Sequence, residues 1–142
     1  SRYENVDDYR AWGIEASKTW TLNELWDLSL GATWMRAEEK TETSSTWTRS
    51  TVPEWDVNAT LAYGRGPWAG ELTVNYFGNR NEGNVESDVT TVDALLEYRF
   101  DASTLRLSVY NLFDEEYWQT EASDVYYYGP ERRVYLTLER IF

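Results

Sequence analysis

Residues able to perform acid–base or nucleophilic chemistry are few in this sequence. It contains no histidine and no cysteine, so a Ser–His or Cys–His nucleophile pair is excluded. Two carboxylates, Asp93 and Glu97, have the spacing of one face of a β-strand, which separates them by about 13 Å. At that distance the two carboxylates cannot act together as general acid and general base on one bond. The sequence therefore predicts that this chain is not an enzyme.

Asp93 and Glu97 fit a structural role better, because Arg99 and Arg106 follow them closely in the sequence. Carboxylates and guanidiniums on one face of a sheet are expected to pair with each other and to hold water. We predict a polar network on the inner wall of a sheet, formed by Glu15, Asp93, Glu97, Arg99, Arg106 and Glu139.

Aromatic residues and arginine are concentrated in two long polar links. Trp47 and Arg49 follow the second predicted strand, and residues 126–128 are three consecutive tyrosines. An aromatic face beside a guanidinium suits a flat, anionic or catecholate-like chelate. The same residues could instead pack loop against loop or lie at a membrane interface, and that alternative stays open. The predicted ligand contacts are Trp47, Arg49, Trp118, Tyr126, Tyr127 and Tyr128.

The charge of the chain is strongly acidic, with a net value of −12. Nucleic acid partners are not expected, because they are bound by basic surfaces. Acidic links at residues 5–8 and 81–88 offer hard oxygen ligands that could bind Ca²⁺, although neither follows a complete ligand loop. Solvated surface loops explain the same charge without a metal, and no other metal or cofactor is predicted.

Seven segments alternate polar and apolar residues with the period of a β-strand. A mean hydropathy of −0.65 is too low for a transmembrane helix, which needs about 20 mostly apolar residues. The links between the segments alternate between short and long, as in outer-membrane barrels. The predicted strands cover residues 10–21, 26–36, 54–63, 68–77, 91–100, 104–110 and 132–142.

Four of these strands carry two aromatic residues eight positions apart on the apolar face, as Trp12 and Trp20 do. Eight residues of a strand tilted by about 40° span about 20 Å along a membrane normal. Lys18 and Arg140 also lie on this face, and their long stems can reach an interface. The pattern predicts an antiparallel transmembrane β-barrel rather than a soluble sandwich or lipocalin-like barrel. The predicted membrane-interface aromatics are Trp12, Trp20, Trp26, Trp34, Trp55, Tyr63, Trp68, Tyr76 and Phe142.

The predicted strand count is odd, whereas single-chain bacterial barrels usually have an even number. A strand edge cannot stay unpaired in lipid. We therefore expect residues 1–142 to be the C-terminal portion of a larger barrel, completed by an odd number of strands on another polypeptide. The charged residues at the start of the sequence contain no apolar segment of a signal peptide.

Two motifs near the end of the sequence resemble a known family. Residues 110–117 read YNLFDEEY, residues 128–132 read YGPER, and the final predicted strand ends on Phe142. This arrangement is similar to the C-terminal signature of TonB-dependent outer-membrane receptors, although the family's Pro-Gly-Arg-like turn reads Gly-Pro-Glu-Arg here. Upstream, YENV at residues 3–6, GIE at residues 13–15 and Val52-Pro53 extend the resemblance over the whole chain.

The resemblance implies a Gram-negative outer-membrane barrel of about 22 strands filled by an N-terminal plug, with no plug domain in residues 1–142. The implied partners are another chain supplying the plug and the remaining strands, a TonB-type energy-coupling protein reached through that chain, lipid and lipopolysaccharide. The implied function is active import of a scarce metal chelate, with a ferric siderophore as the expected class. There are two alternatives: the chain is part of a passive porin or secretion barrel, or it is a soluble ligand-binding barrel.

Overall fold

Antiparallel β-strands make up the fold of this chain. The structure, a computed structural model, describes residues 7–41, 46–50, 52–80, 88–122 and 125–141. Among these residues, no helix is long and apolar enough to cross a bilayer. The strands are β1 (Asp7–Asn23), β2 (Trp26–Thr41), β3 (Thr48–Arg49), β4 (Trp55–Arg65), β5 (Trp68–Gly78), β6 (Val89–Phe100), β7 (Ser103–Tyr110), β8 (Trp118–Ala122), β9 (Val125–Tyr128) and β10 (Arg133–Arg140).

The seven long strands form one sheet in the order β1-β2-β4-β5-β6-β7-β10. The short β3 pairs with the far end of β2, and β8 and β9 form a separate hairpin. Within the described ranges, β1 and β10 each pair on one side only, so the sheet is open. The predicted all-β antiparallel fold is confirmed, and each of the seven predicted strands is present.

The register of the sheet separates an apolar face from a polar face. Leu61 on β4 lies opposite Leu72 on β5, and the adjacent pair on the other face is Thr60 and Thr73. The two threonine hydroxyls are hydrogen-bonded at 2.9 Å. Because side chains alternate with a period of two, a slip of one residue would exchange the faces. The observed register keeps the predicted apolar positions of neighbouring strands together.

Nothing in the described part of the chain covers the apolar face. Ile14 and Leu136 are each 71% exposed, and Leu138 is 64% exposed. The buried apolar residues among those described are Ala37 and Val89 alone. A soluble sandwich would bury such a face against a second sheet, so this sheet does not have the architecture of a sandwich.

The three tight turns lie at one end of the sheet, which we call the short-turn end. Backbone hydrogen bonds connect each turn region to its neighbour. The short-turn end of the sheet is therefore a continuous edge. In every case an N–H on one strand donates to a carbonyl of the neighbouring turn region. The bonds run from Gly64 to Leu25 (3.0 Å), from Arg99 to Pro67 (2.9 Å) and from Ile141 to Ala102 (3.0 Å).

Two features of the strands differ from the sequence prediction. β1 and β2 continue beyond the predicted bounds, because opposite charges face each other in the added rows: Arg10 lies opposite Glu38, and Asp8 lies opposite Lys40. Such cross-strand pairs stabilise a sheet even where the apolar alternation stops. The short strands β3, β8 and β9 were not predicted, and they lie in links that were expected to be loops.

Candidate functional site

Side-chain interactions concentrate at the end of the sheet opposite the short turns, which we call the long-loop end. Two buried carboxylates, Glu38 at 9% and Glu54 at 8% exposure, organise it. Arg10 donates to Glu38 from Nε at 2.9 Å, and Arg36 donates from Nε at 3.0 Å. We call this group, together with Arg49, the long-loop cluster.

Glu54 connects two of the long links. It forms ion pairs with Arg49 at 3.1 Å and with Arg36 at 3.5 Å. The side-chain amide of Asn79, after β5, also donates to Glu54, and the Asn79 backbone N–H donates to Asp88 at 2.8 Å. These contacts connect the link after β2 with the link after β5.

The charge state of Glu38 follows from its neighbours. It lies four residues beyond Trp34, outside the part of β2 between its two aromatic rows. The Arg10 guanidinium, and secondly that of Arg36, hold the pKa of the Glu38 carboxyl below its usual value. The carboxylate is therefore ionised at neutral pH and can bind both arginines at once.

The predicted ligand residues Trp47 and Arg49 are engaged within this cluster. The guanidinium carbon of Arg10 lies 4.2 Å from the centre of the Trp47 ring, and Arg49 pairs with Glu54. Trp47 is half-buried. This geometry matches the packing alternative for these two residues, so their contact with a ligand stays a prediction.

The hairpin of β8 and β9 presents the other predicted ligand residues. The Trp118 and Tyr128 rings are stacked with their centres 3.8 Å apart. Arg80 anchors the hairpin by donating from Nη1 to the Trp118 carbonyl at 2.6 Å. Tyr127 is 53% exposed and Tyr128 is 62% exposed, so both can meet a ligand. The side chain of Tyr126 lies outside the described residues.

Asn111, the first residue of the NLFD motif, fixes the base of this hairpin. It is 5% exposed and adopts a positive φ of 52°. Its backbone N–H donates to Asp93 at 2.9 Å, and its side-chain amide donates to the carbonyls of Glu115 at 2.9 Å and Pro130 at 3.0 Å. The Glu115 N–H donates back to Asn111 Oδ1 at 2.9 Å. One side chain thus holds both ends of the last link.

Gly129 and Tyr117 complete this anchor. The Gly129 N–H donates to the Tyr117 carbonyl at 2.8 Å. A Cβ atom at position 129 would collide with the Tyr117 ring, which is a physical reason for glycine in the YGPER motif. Burial raises the pKa of the Tyr117 hydroxyl. The two motifs that carried the family resemblance therefore meet in space.

The predicted polar network lies on the polar face of the sheet, and part of it forms a cluster. Arg106 donates to Glu97 from Nε at 2.7 Å, and Arg99 donates to Glu97 at 3.2 Å. Asp93 is not part of this cluster. It accepts hydrogen bonds from the Asn75 side chain at 3.1 Å and from the Asn111 backbone N–H. A concave groove of about 750 Å³ runs beside this cluster.

Of the remaining two predicted network residues, Glu139 lies near the cluster, where its charge interacts with Arg106, whereas Glu15 lies far from it. Glu15 on β1 lies opposite Thr33, four strands from β6 and thus about 19 Å away. Glu139 on β10 lies opposite Thr104. Sequence reasoning also missed Arg10, Glu54 and Asn111. Most of their partners are 18 or more residues away, so a local pattern does not mark them. The nearer partners are Arg49 for Glu54 and Glu115 for Asn111.

The predicted interface aromatics lie on the apolar face, apart from Phe142, which lies outside the described residues. Trp26 and Tyr63 have ring centres 4.8 Å apart. Trp68 packs on Tyr98 at 4.5 Å, and Tyr98 was not among the predicted residues. Cross-strand aromatic pairs of this kind stabilise a sheet, so a membrane role is not needed to explain their mutual contacts.

The described residues of this structure contain no recognisable metal site. Among the described residues, no group of three or more histidine, cysteine or carboxylate side chains could hold a metal ion. Of the two acidic links predicted to offer Ca²⁺ ligands, residues 5, 6 and 81–87 lie outside the described residues, so that possibility stays a prediction.

Comparison with known proteins assigns the chain to a family. The family described as "TonB dependent receptor-like, beta-barrel" matches residues 1–112. The iron-regulated outer membrane virulence proteins of two Vibrio cholerae serotype O1 strains, O395 and N16961, are each 28% identical over 151 residues. The match covers 97% of this chain but 22% of each relative.

A solved structure supports the fold. A chain in the structure of the FpvAI–pyocin S2 complex superposes with a TM-score of 0.72 at 18% identity, covering 92% of this chain and 19% of that one. The 142 residues thus span about a fifth of the length of these proteins. This chain belongs to the TonB-dependent receptor-like β-barrel family, as the C-terminal motifs had indicated.

Proposed function

We propose that this chain forms part of the wall and outer loops of a Gram-negative outer-membrane receptor that actively imports a ferric siderophore. The observation that carries the membrane part is the sheet itself: an uncovered apolar face crossed by aromatic rows, backed by a polar face. A lipid-exposed barrel has this division between faces. Membership of the receptor family supports the same role.

The open edges of the sheet motivate a second part of the proposal. β1 and β10 would each leave a row of unpaired backbone groups in lipid, which is prohibitively costly. We propose that strands outside these 142 residues close the barrel and that a plug packs against the polar face. Those strands belong either to the same polypeptide or, as the odd strand count led us to expect, to another chain. A TonB-type protein would supply the energy through that larger assembly.

The proposed substrate rests on the long-loop end and on a relative. The relatives in Vibrio cholerae are described as iron-regulated. In this chain, the exposed tyrosines of the β8–β9 hairpin offer aromatic faces beside the arginines that brace the neighbouring links. Such surfaces bind flat, anionic chelates by stacking and cation–π contact. A ferric siderophore has this chemistry.

The proposal is tested by truncating the stacked pair of the hairpin. Trp118→Ala combined with Tyr128→Ala is expected to weaken ferric siderophore binding about tenfold, the effect of losing one or two aromatic contacts. Binding by the assembled receptor in detergent and uptake of labelled iron by iron-starved cells are measured together. Trp20→Ala, at the opposite end of the sheet, is the matched control and should bind normally.

Two results would contradict this assignment. Unchanged binding and uptake in the double variant would remove the hairpin from the ligand site. Iron uptake that persists after the proton gradient is collapsed would indicate a passive porin instead of an energised receptor.

A further inference from the structure

A notch interrupts the apolar face near the short-turn end. Gly70 on β5 lies between Tyr63 on β4 and Leu96 on β6 in the register of the sheet, and it has no side chain to fill its position. The resulting cleft has a volume of about 300 Å³ and is walled mainly by Trp26, Leu61, Tyr63 and Leu72. The Trp26 and Tyr63 rings form one side of it, 4.8 Å apart.

The rim of the notch carries a positive charge. Arg65 follows Tyr63 by two residues, so it lies on the same face, and its register partner is Trp68. Its side chain is exposed. Lys18 and Arg140 lie on the same face but two and four strands from β4, about 10 Å and 19 Å away. Arg65 is therefore the cation beside the notch, and its guanidinium can attract an anion.

The shape and position of the notch restrict what can occupy it. β4 and β5 are interior strands with both edges paired, so a peptide cannot add to either of them as a further strand. Leu72 lies opposite Leu61. Leu61 precedes Arg65 by four residues on β4, which corresponds to about 13 Å along the strand. An elongated apolar group with an anion at one end would fit this layout.

We propose that the notch binds one acyl chain of a glycerophospholipid, with the lipid phosphate held by Arg65. This inference rests on the proposed membrane location of the sheet and adds a defined lipid site to it. Guanidinium binds phosphate through paired, charge-assisted hydrogen bonds. The indole and phenol groups of Trp26 and Tyr63 have polar tips suited to the same interfacial level.

The test is native mass spectrometry of the assembled barrel in detergent, titrated with phosphatidylglycerol. Arg65→Gln removes the phosphate contact, and Gly70→Leu fills the notch from below. Each is expected to lower the fraction of protein that retains one lipid about fivefold, as the loss of a charge-assisted contact or of the chain site should. Arg65→Lys keeps the charge without the forked geometry and should lie between Arg65→Gln and the unmodified protein.

Gly64→Leu is the matched control, because a Cβ at position 64 meets no atom within 4 Å. It should retain lipid as the unmodified protein does. Equal lipid retention by Arg65→Gln and the unmodified protein would overturn the site, even if Gly70→Leu fails to assemble. Migration on unheated gels is recorded first, since a chain that forms no heat-modifiable barrel at all would overturn the proposed membrane role and the lipid site with it.

Discussion

The two ends of the sheet both have backbone hydrogen bonds between neighbouring segments, but side-chain interactions are more extensive at the long-loop end than at the short-turn end. At the short-turn end, backbone hydrogen bonds join neighbouring turns, such as the one from the Gly64 N–H to the Leu25 carbonyl at 3.0 Å. At the long-loop end, side chains add a network of their own, in which Glu38 alone accepts from Arg10 at 2.9 Å and from Arg36 at 3.0 Å.

This difference separates what builds the wall from what shapes the loops. Backbone hydrogen bonds do not depend on the identity of a side chain, so the short-turn end should tolerate substitution, except at the buried Glu97 that Arg99 and Arg106 contact. Side-chain networks depend on each member, because removing one leaves a buried polar partner unsatisfied. The conformation of the long links, and with it any ligand site there, should therefore be sensitive to single substitutions.

Asn111→Ala gives the largest expected loss at the long-loop end. It removes three side-chain hydrogen bonds at a residue that is 5% exposed. We expect a loss of about 3 kcal/mol in the free energy of unfolding, measured by guanidinium unfolding in detergent micelles. The matched control is Asn23→Ala at the short-turn end, where an exposed side chain accepts one bond from the Leu25 N–H at 2.9 Å. Equal losses in the two variants would abolish the distinction between the ends.

Glu38→Gln tests the same comparison through pH. The pKa of Glu38 is lowered from 4.5, so its ionised form stabilises the folded loops above about pH 4.5, and that stabilisation is lost as pH falls through the lower, folded-state value. The protection of the amides in residues 37–41, which is the exchange rate corrected for its intrinsic pH dependence, should therefore fall on acidification of the unmodified protein. In Glu38→Gln this protection should be low already at pH 7 and should change less with acid.

Glu24→Gln, in the first short turn, is the control for this experiment and should leave exchange in residues 37–41 unaltered at every pH. A Glu38→Gln variant whose exchange follows the same pH profile as the unmodified protein would show that the two arginine contacts do not hold this link.

Lys18→Gln should have the smallest effect. The Lys18 ammonium lies 5.1 Å from the Trp20 ring, and an exposed contact of this kind contributes about 0.5 kcal/mol. The free energy of unfolding in detergent should fall by no more than that amount. Arg10→Gln, which loses both its Glu38 pair and its Trp47 contact, should shift it more, and a reversed order would contradict the comparison.

The wall was predictable from the sequence because strand alternation is a local signal. Apolar residues occupy every second position of β4 from Trp55 to Tyr63, so this strand and its faces followed from the period of two. The far ends of β1 and β2 were missed, since charges replace apolar residues there and the pairing of Arg10 with Glu38 depends on residues 28 apart. The alternation gives no information about such pairs.

The candidate site was less predictable for the same physical reason. The aromatic composition of the last link indicated a ligand surface, but its hairpin depends on Asn111 and Asp93, which are 18 residues apart. Trp47 and Arg49 were chosen as ligand contacts by residue type, whereas the structure shows both in contacts within the cluster. Residue type indicates what a side chain can bind, and only the packing shows whether it is already occupied.

The proposed function requires that the apolar face of this sheet contacts lipid. The chain has no cysteine, so single cysteines at residues 57–61 of β4 can each carry a spin label in the assembled, membrane-inserted protein. Labels at positions 57, 59 and 61 should collide preferentially with oxygen dissolved in lipid, and labels at positions 58 and 60 with a water-soluble relaxer. Accessibility without this alternation, or with the two sets exchanged, would contradict it.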